Sequence, residues 1–318
     1  MVSLLRRVVN ARASPGEAEQ ARSVAAASAL RAAALLSGGV PSARVWRVLG
    51  EEPGAPPELA AIAAAIAAGQ SSEQALARVG GQEWRVLAVA WSLAQRSGAP
   101  ISQMLKRIAD ALTALERVGD RRSVLLAGPR ATIRLVAVLP LVALLFGVIL
   151  GFDPFAVLLS PAGVVLGVLG AALLLAGVRW AKLLTDRLAA QEWVSGLECE
   201  LCWIALSGGA SQRAALRNVA DAIDAFALDW VRFSTLRRDG PVHGVLRAAE
   251  AHGTPAGPML LTEAAAARAR ALAELERQAE RLAVQVLLPI GVCVLPSFIV
   301  LGVLPVLLSV MGSLRPVL

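Results

Sequence analysis

Tyrosine is absent from this chain of 318 residues, aromatics make up 4% of it, and charged residues only 17%. Lysine occurs at Lys106 and Lys182 alone, so arginine supplies nearly all the positive charge. Each shortage excludes something. The three cysteines, Cys199, Cys202 and Cys293, make no disulfide framework, and Cys293 lies in an apolar run. Cys199-Glu-Leu-Cys202 has the spacing of zinc and thiol redox sites. A structural zinc site needs a second matched pair of ligands, and the only histidines, His243 and His252, stand at the wrong interval. A redox CxxC follows a strand, whereas this one falls in helical sequence, so it reads as two buried cysteines. There is no GxxxxGK[ST], no GxGxxG after a strand and no kinase set. Neither histidine sits beside a nucleophile motif, and both read as surface helix residues. The residues therefore assign no catalytic group, no cofactor and no metal.

What is plentiful is apolar sequence. Hydrophobic residues form 56% of the chain and the mean hydropathy is +0.62, against roughly 45–50% apolar in soluble chains. The surplus must face something other than water. Alanine and leucine dominate with little alternation, which favours helix over strand and predicts an all-α fold.

Crossing a bilayer takes roughly 20 apolar residues in a helix. Leu135 to Phe152 carries no charge, and after Asp153 a second uncharged run extends from Pro154 to Val178. A third lies between Arg281 and Arg315, running from Leu282 to Leu314. It holds Pro289, Pro296 and Pro305 and exceeds one perpendicular span, so a single tilted, kinked span with its first turn in the cytoplasm is expected. Gln285 falls at that edge.

The arginines orient these spans. Arg117, Arg121, Arg122, Arg130 and Arg134 precede the first; Arg179, Lys182 and Arg187 follow the second; Arg268, Arg270, Arg277 and Arg281 precede the third. The turn Gly151-Phe-Asp-Pro-Phe155 has no basic residue. The positive-inside rule then places both long polar segments and the N-terminus in the cytoplasm, and the turn and C-terminus outside. The first residues have a basic start but no long apolar core, which argues against a signal peptide. The net charge of +7 is explained by the same asymmetry, and no motif for nucleic acid accompanies it. The spans hold no Asp, Glu, Lys or Arg, which argues against a transporter or channel.

The two polar segments resemble each other. Leu36-Ser-Gly-Gly-Val-Pro-Ser-Ala-Arg-Val recurs as Leu206-Ser-Gly-Gly-Ala-Ser-Gln-Arg-Ala-Ala, Ala67-Ala-Gly69 as Arg238-Asp-Gly240, and Gly98-Ala-Pro-Ile-Ser-Gln-Met104 as Gly253-Thr-Pro-Ala-Gly-Pro-Met259. The second copy is shorter by about one helix, so about six helices are expected in the first and about five in the second. Each Gly-Gly reads as a helix stop, with Ser42 and Ser211 as the N-caps that follow. Pro56-Pro-Glu-Leu and Ser71-Ser-Glu-Gln start further helices. Glu83 to Arg96 buries a broad face. The next helix begins near Ser102, carries Leu105, Ile108, Leu112 and Leu115 on one stripe, and is expected to stop at Gly128-Pro129.

The division expected is an N-terminal segment (1–20), a first cytoplasmic helical bundle (21–130), a two-span hairpin (131–178), a shortened second bundle (179–281), a third transmembrane segment (282–314) and a tail (315–318). A bundle with neither active site nor channel acts by contact. The charged helices Glu116 to Arg122 and Glu263 to Arg281 are candidate docking surfaces, or else solvated faces laced with Glu–Arg pairs.

In this order of parts the chain resembles the F-family platform proteins of type II secretion and type IV pilus machines. Its local sequence is most similar to the tight-adherence (Tad, Flp) branch of high-GC actinobacteria. The residues that carry this are Ala127-Gly-Pro-Arg-Ala-Thr-Ile-Arg-Leu-Val-Ala-Val-Leu-Pro-Leu141, Leu150-Gly-Phe-Asp-Pro154, and Leu288-Pro-Ile-Gly-Val-Cys-Val-Leu-Pro-Ser-Phe-Ile-Val-Leu-Gly-Val-Leu-Pro305. The resemblance implies a multi-pass protein of the cytoplasmic membrane without catalytic residues. It implies a hexameric secretion ATPase and pilin subunits as partners, and a homo-oligomer or a pairing with a second F-family protein. Arg121, Arg122, Arg237 and Arg238 are the expected motor-facing contacts. A membrane scaffold or regulator unrelated to pili is the alternative.

Overall fold

A computed structural model describes residues 15–151, 154–189 and 194–313. Phe152 and Asp153 of the expected outer turn, most of the N-terminal segment and the tail 315–318 lie outside the described residues. Among the described residues there is no strand, and the fold is all-α. The helices are α1 (Pro15–Ser37), α2 (Ser42–Gly50), α3 (Pro57–Ala67), α4 (Ser72–Arg78), α5 (Gln82–Ser97), α6 (Ile101–Ile149), α7 (Pro154–Leu158) and α8 (Pro161–Ala189). They continue with α9 (Leu197–Ser207), α10 (Gln212–Ala225), α11 (Pro241–His252), α12 (Ala256–Gln285), α13 (Leu287–Pro289), α14 (Leu295–Phe298) and α15 (Leu304–Ser313). The chain divides into two compact units, one of 1–120 with 192–272 and the other of 121–191 with 273–318, and the division falls inside α6 and α12.

In the first unit the two repeated segments close around one core. Trp46, Trp84, Trp91, Leu87 and Leu105 of the first segment belong to the same buried cluster as Leu201, Cys202, Ile204, Ile223 and Val242 of the second. Trp46 and Trp91 meet at 5.6 Å between ring centroids, tilted by 57°, a geometry aromatic pairs favour. Polar contacts join the segments at the edge. Gln82 accepts from the Asp229 backbone N–H at 2.9 Å and donates to its carboxylate at 3.1 Å. Arg85 donates to the Ala227 carbonyl at 2.9 Å, and the Ser97 hydroxyl to that of Ile204 at 3.2 Å. A repeat whose helices are short and alanine-rich buries too little surface by itself, and joining two copies makes one larger core.

The first segment forms the expected six helices, α1 to α6. Among the described residues the second forms the expected five or so helical elements, α9 to α12 and one 3₁₀ helix (Phe233–Leu236), the last reduced to a single turn where the first copy has α3. The reason is local. α10 runs 14 residues where α2 runs 9, and the chain that follows puts Ala227 at φ +49° and buries Leu228, Trp230 and Val231. In the order of the repeat, these bulky side chains stand where the first copy has the alanine-rich α3. Between the matching glycines the second copy has one helix, α11, and the first has two, α4 and α5, which is the length the repeat lacks.

Ser211 caps α10, accepting from the Ala214 backbone N–H at 3.3 Å. Ser42 does not cap α2: it is the first helical residue, and Pro41 holds the cap position. Ser71 precedes α4 without a capping bond from its hydroxyl. The expected stop at Gly128-Pro129 is also corrected, because α6 passes through Pro129 and Pro140 and runs 49 residues. Each proline forfeits one backbone hydrogen bond, at about 3 kcal/mol. Strong helix formers on both sides carry the helix past that loss.

The second unit holds the apolar helices. Among the described residues three are long and apolar enough to cross a membrane: α6, Gly163–Asp186 within α8, and the run Ala256–Met311. In the most apolar window of α6 only 22% is buried, and Leu135, Leu141, Leu145 and Ile149 are all exposed, as lipid contact requires. The opposite stripe, Ile133, Pro140, Leu144 and Gly147, is buried. In α8, glycines recur every seven residues at Gly163, Gly170 and Gly177. A β-carbon at Gly170 would lie 2.5 Å from the Leu301 Cγ, and one at Gly177 2.8 Å from the Cys293 Cβ. Their absence lets the third run approach closely, as small residues do between membrane helices. The buried Ser297 hydroxyl donates to the Gly170 carbonyl at 2.8 Å across this contact.

The third run stays helical through its prolines by widening. Ile290–Val294 and Ile299–Val303 are π-helical. Pro296 and Pro305 would otherwise press on the carbonyls of Val292 and Leu301, four residues back and inside those two segments. A π turn relieves the clash and leaves the missing donor without consequence.

Candidate functional site

α9 reads Leu-Glu-Cys-Glu-Leu-Cys-Trp-Ile-Ala-Leu-Ser, and its apolar character draws two carboxylates into the first unit's core. Glu198 is 7% exposed and Glu200 2%. Arg268 of α12 donates to one oxygen of Glu200 at 2.8 Å, while the other oxygen is buried without a partner. Burial pushes the Glu200 carboxyl up to about 7; Arg268 pulls against that shift through its charge and hydrogen bond, and the charge of Arg107 does the same. Burial also raises Glu198, opposed by backbone hydrogen bonds. This pair ties the start of α9 to α12, and two acidic residues inside an apolar helix were its signal in the sequence.

The cysteines between them are inert in this setting. Cys199 and Cys202 are free and buried. Burial, with the nearby Glu198 charge next, pushes the Cys199 thiol up to about 12, and burial raises Cys202 likewise. Thiolate is the reactive form, so neither should react with iodoacetamide at pH 8 in the folded protein. Both should label within minutes once the protein is unfolded in denaturant, as mass spectrometry of the tryptic peptides would read. Rapid labelling of the folded protein would contradict the packing. Among the described residues no group of three or more His, Cys, Asp or Glu is placed to hold a metal ion.

The four arginines expected at a motor-facing surface fall in different units. Arg237 and Arg238 are exposed in the loop after the 3₁₀ turn of the first unit, with Arg237 at 3.9 Å from Asp239. Arg121 and Arg122 belong to the second unit, where Arg121 pairs with Glu276 of α12 at 3.0 Å. Arg122 is half-buried. Within α12, Glu263 pairs with Arg270 and Glu274 with Arg277 at 3.4 Å, whereas Glu280 and Arg281 form no ion pair among the described residues. These pairs lace part of the α12 face. An open cleft of about 240 Å³, lined by Trp203, Leu206, Ser207, Ala256 and Gly257, lies between α9 and the start of α12.

No curated protein and no solved structure matches the chain. Residues 29–149, from the middle of α1 through the first membrane helix, match the family model described as type II secretion system (T2SS), protein F.

Proposed function

We propose that this protein is the inner-membrane platform of a type II secretion or type IV-like pilus machine of the Tad class, coupling a cytoplasmic secretion ATPase to the assembly of pilin subunits. The observation that carries the reading is the secretion-family match over 29–149, which joins a polar helical bundle to an apolar helix. The repeat of that bundle further on and three apolar helices agree with it. The protein works without an active site of its own. Its cytoplasmic unit receives force, and its membrane helices deliver motion to subunits leaving the bilayer.

The test is purification of the tagged protein from mildly solubilised membranes of its host, with mass spectrometry of what accompanies it. A hexameric ATPase and a small pilin are expected. Their absence after crosslinking, with the protein present, would leave only a membrane scaffold.

Arg237 and Arg238 offer the ATPase two exposed cations. Arg237→Glu/Arg238→Glu should abolish filament assembly and recovery of the ATPase while membrane insertion is unchanged. Arg121→Glu acts differently, because it also sets two carboxylates against each other. Exchange of the pair (Arg121→Glu/Glu276→Arg) should restore stability, and loss of filaments that persists in the exchanged protein assigns Arg121 to the motor. Normal piliation of the Arg237/Arg238 variant would remove that surface from the mechanism.

A further inference from the structure

Among the described residues the second unit carries cations that form no ion pair. Arg130 and Arg134 of α6 and Arg179 and Lys182 of α8 are all exposed. None forms an ion pair among the described residues, in contrast to Arg121 and Arg277 of the same unit. The nearest acid along α8, Asp186, stands one turn beyond Lys182, exposed and, among the described residues, in no ion pair.

The helix contacts set these four at one height. α8 runs antiparallel to the third run, since Gly170 faces Val300 and Leu301 while Gly177 faces Pro289, Cys293 and Val294. Continuing in step brings Arg179 level with Gly291 and Lys182 level with Leu288. α6 returns through the short α7 connection into α8 and so ascends with the third run, and Gly302 faces Ala143. Counting back from that contact puts Arg134 level with Cys293 and Arg130 level with Pro289. Four unanswered cations thus share a band about 8 Å deep at 1.5 Å per residue. Exposed apolar side chains adjoin it, Leu135 and Leu175 on one side and Leu288 and Val292 within it. Trp180, 40% exposed, stands in the band as well, and tryptophan favours the headgroup level of a bilayer.

We propose that Arg130, Arg134, Arg179 and Lys182 form a binding belt for anionic phospholipid, with the phosphodiester held by the cations and the acyl chains laid along the neighbouring apolar faces. Amphiphilic chemistry selects this occupant. Free phosphate would use the charges and leave the apolar sides bare, whereas zwitterionic lipid brings its own cation against them. Two of the residues come from each arm of the hairpin, so a bound headgroup would hold α6 and α8 together at their polar ends. The inference requires that the three apolar helices span a bilayer and is independent of any role in secretion.

The test uses the full-length protein in mild neutral detergent, with dioleoyl phosphatidylglycerol, dioleoyl phosphatidylcholine or inorganic phosphate added. Melting midpoints are recorded, and phosphorus is measured after gel filtration. Phosphatidylglycerol should raise the midpoint and remain bound, and the other two should do neither. Arg130→Gln/Arg134→Gln/Arg179→Gln/Lys182→Gln should retain at least about tenfold less phosphatidylglycerol. Removing the same number of charges from the first unit, in Arg44→Gln/Arg78→Gln/Arg213→Gln/Arg217→Gln, should change nothing. If the fourfold variant does not survive purification, the Arg130/Arg134 and Arg179/Lys182 double variants carry the same comparison. Equal retention by wild type and variant, equal effects of the two lipids, or displacement of the lipid by millimolar phosphate would overturn the proposal. Extraction of the protein from membranes by carbonate would instead overturn the spans themselves.

Discussion

Replacing Gly208 by alanine should lower the melting midpoint of the first unit by about 6–12 °C, the largest effect expected of any single methyl group in the protein. Gly208 closes α9 at φ −93°, a conformation open to any residue, so backbone strain is not the issue. Space is. A β-carbon there would lie 1.4 Å from the Ser97 carbonyl oxygen and 2.2 Å from its carbon. These are backbone atoms at the end of α5, and they cannot turn aside as a side chain could. Either α5 or α9 must move, and with it the Ser97 bond to Ile204 and the core that the two repeats share. The cost should be about 3 kcal/mol. Gly209 is the control. It sits at φ +86° with nothing within 4 Å of a β-carbon, so Gly209→Ala meets only the left-handed penalty of about 1 kcal/mol. Thermal unfolding in mild detergent, read by near-UV circular dichroism, separates the two. Equal midpoints for wild type and Gly208→Ala would mean that the repeats do not meet at this point.

Arg268→Met should cost about 3–5 kcal/mol at pH 8 and clearly less at pH 5.5. The substitution keeps the stem and removes the charge, leaving Glu200 buried with neither oxygen answered. The pH dependence has a definite sign. Burial holds the folded Glu200 carboxyl at about 7, above its ordinary value of 4.5. Its contribution to stability is therefore complete below about pH 4.5 and is lost as pH rises through about 7. In the wild type this amounts to about 3 kcal/mol between those limits. Arg268 opposes the shift, so its removal raises the folded value further and steepens the dependence. Glu198 moves in the same direction, which makes Glu200→Gln the informative comparison. That variant should lose the part of the pH 5.5 to 8 difference that belongs to Glu200 and keep the remainder. A wild-type midpoint that does not change between these pH values, or changes equally in Glu200→Gln, would refute the assignment.

The two substitutions fail for different reasons, and the sequence treats them differently. Gly208 is visible as one half of a Gly-Gly that recurs from the first repeat, and its role as a helix stop is legible from that alone. That its hydrogen faces Ser97 is not, because the contact joins positions more than a hundred residues apart. Glu200 is visible as a carboxylate in an apolar helix. Its partner, 68 residues away on a helix crowded with arginines, is singled out only by packing. The laced character of α12 could be read from its alternating charges, but Arg121 as the partner of Glu276 could not.

Periodicity and composition determined the helical class and the apolar helices, since each rests on patterns local to a few turns. They misplaced the end of α6, because a Gly-Pro pair marks a weak point in a helix without showing whether the flanking turns outweigh it. They gave the second copy about five helices without showing that one of them is a single 3₁₀ turn followed by the buried Leu228, Trp230 and Val231. Tertiary structure alone decided that the two copies build one core and that glycines spaced by seven in α8 receive the third run. It alone set Arg130, Arg134, Arg179 and Lys182 at one height. Those outcomes depend on which faces meet, and burial and close approach reward that choice only after distant parts of the chain come together.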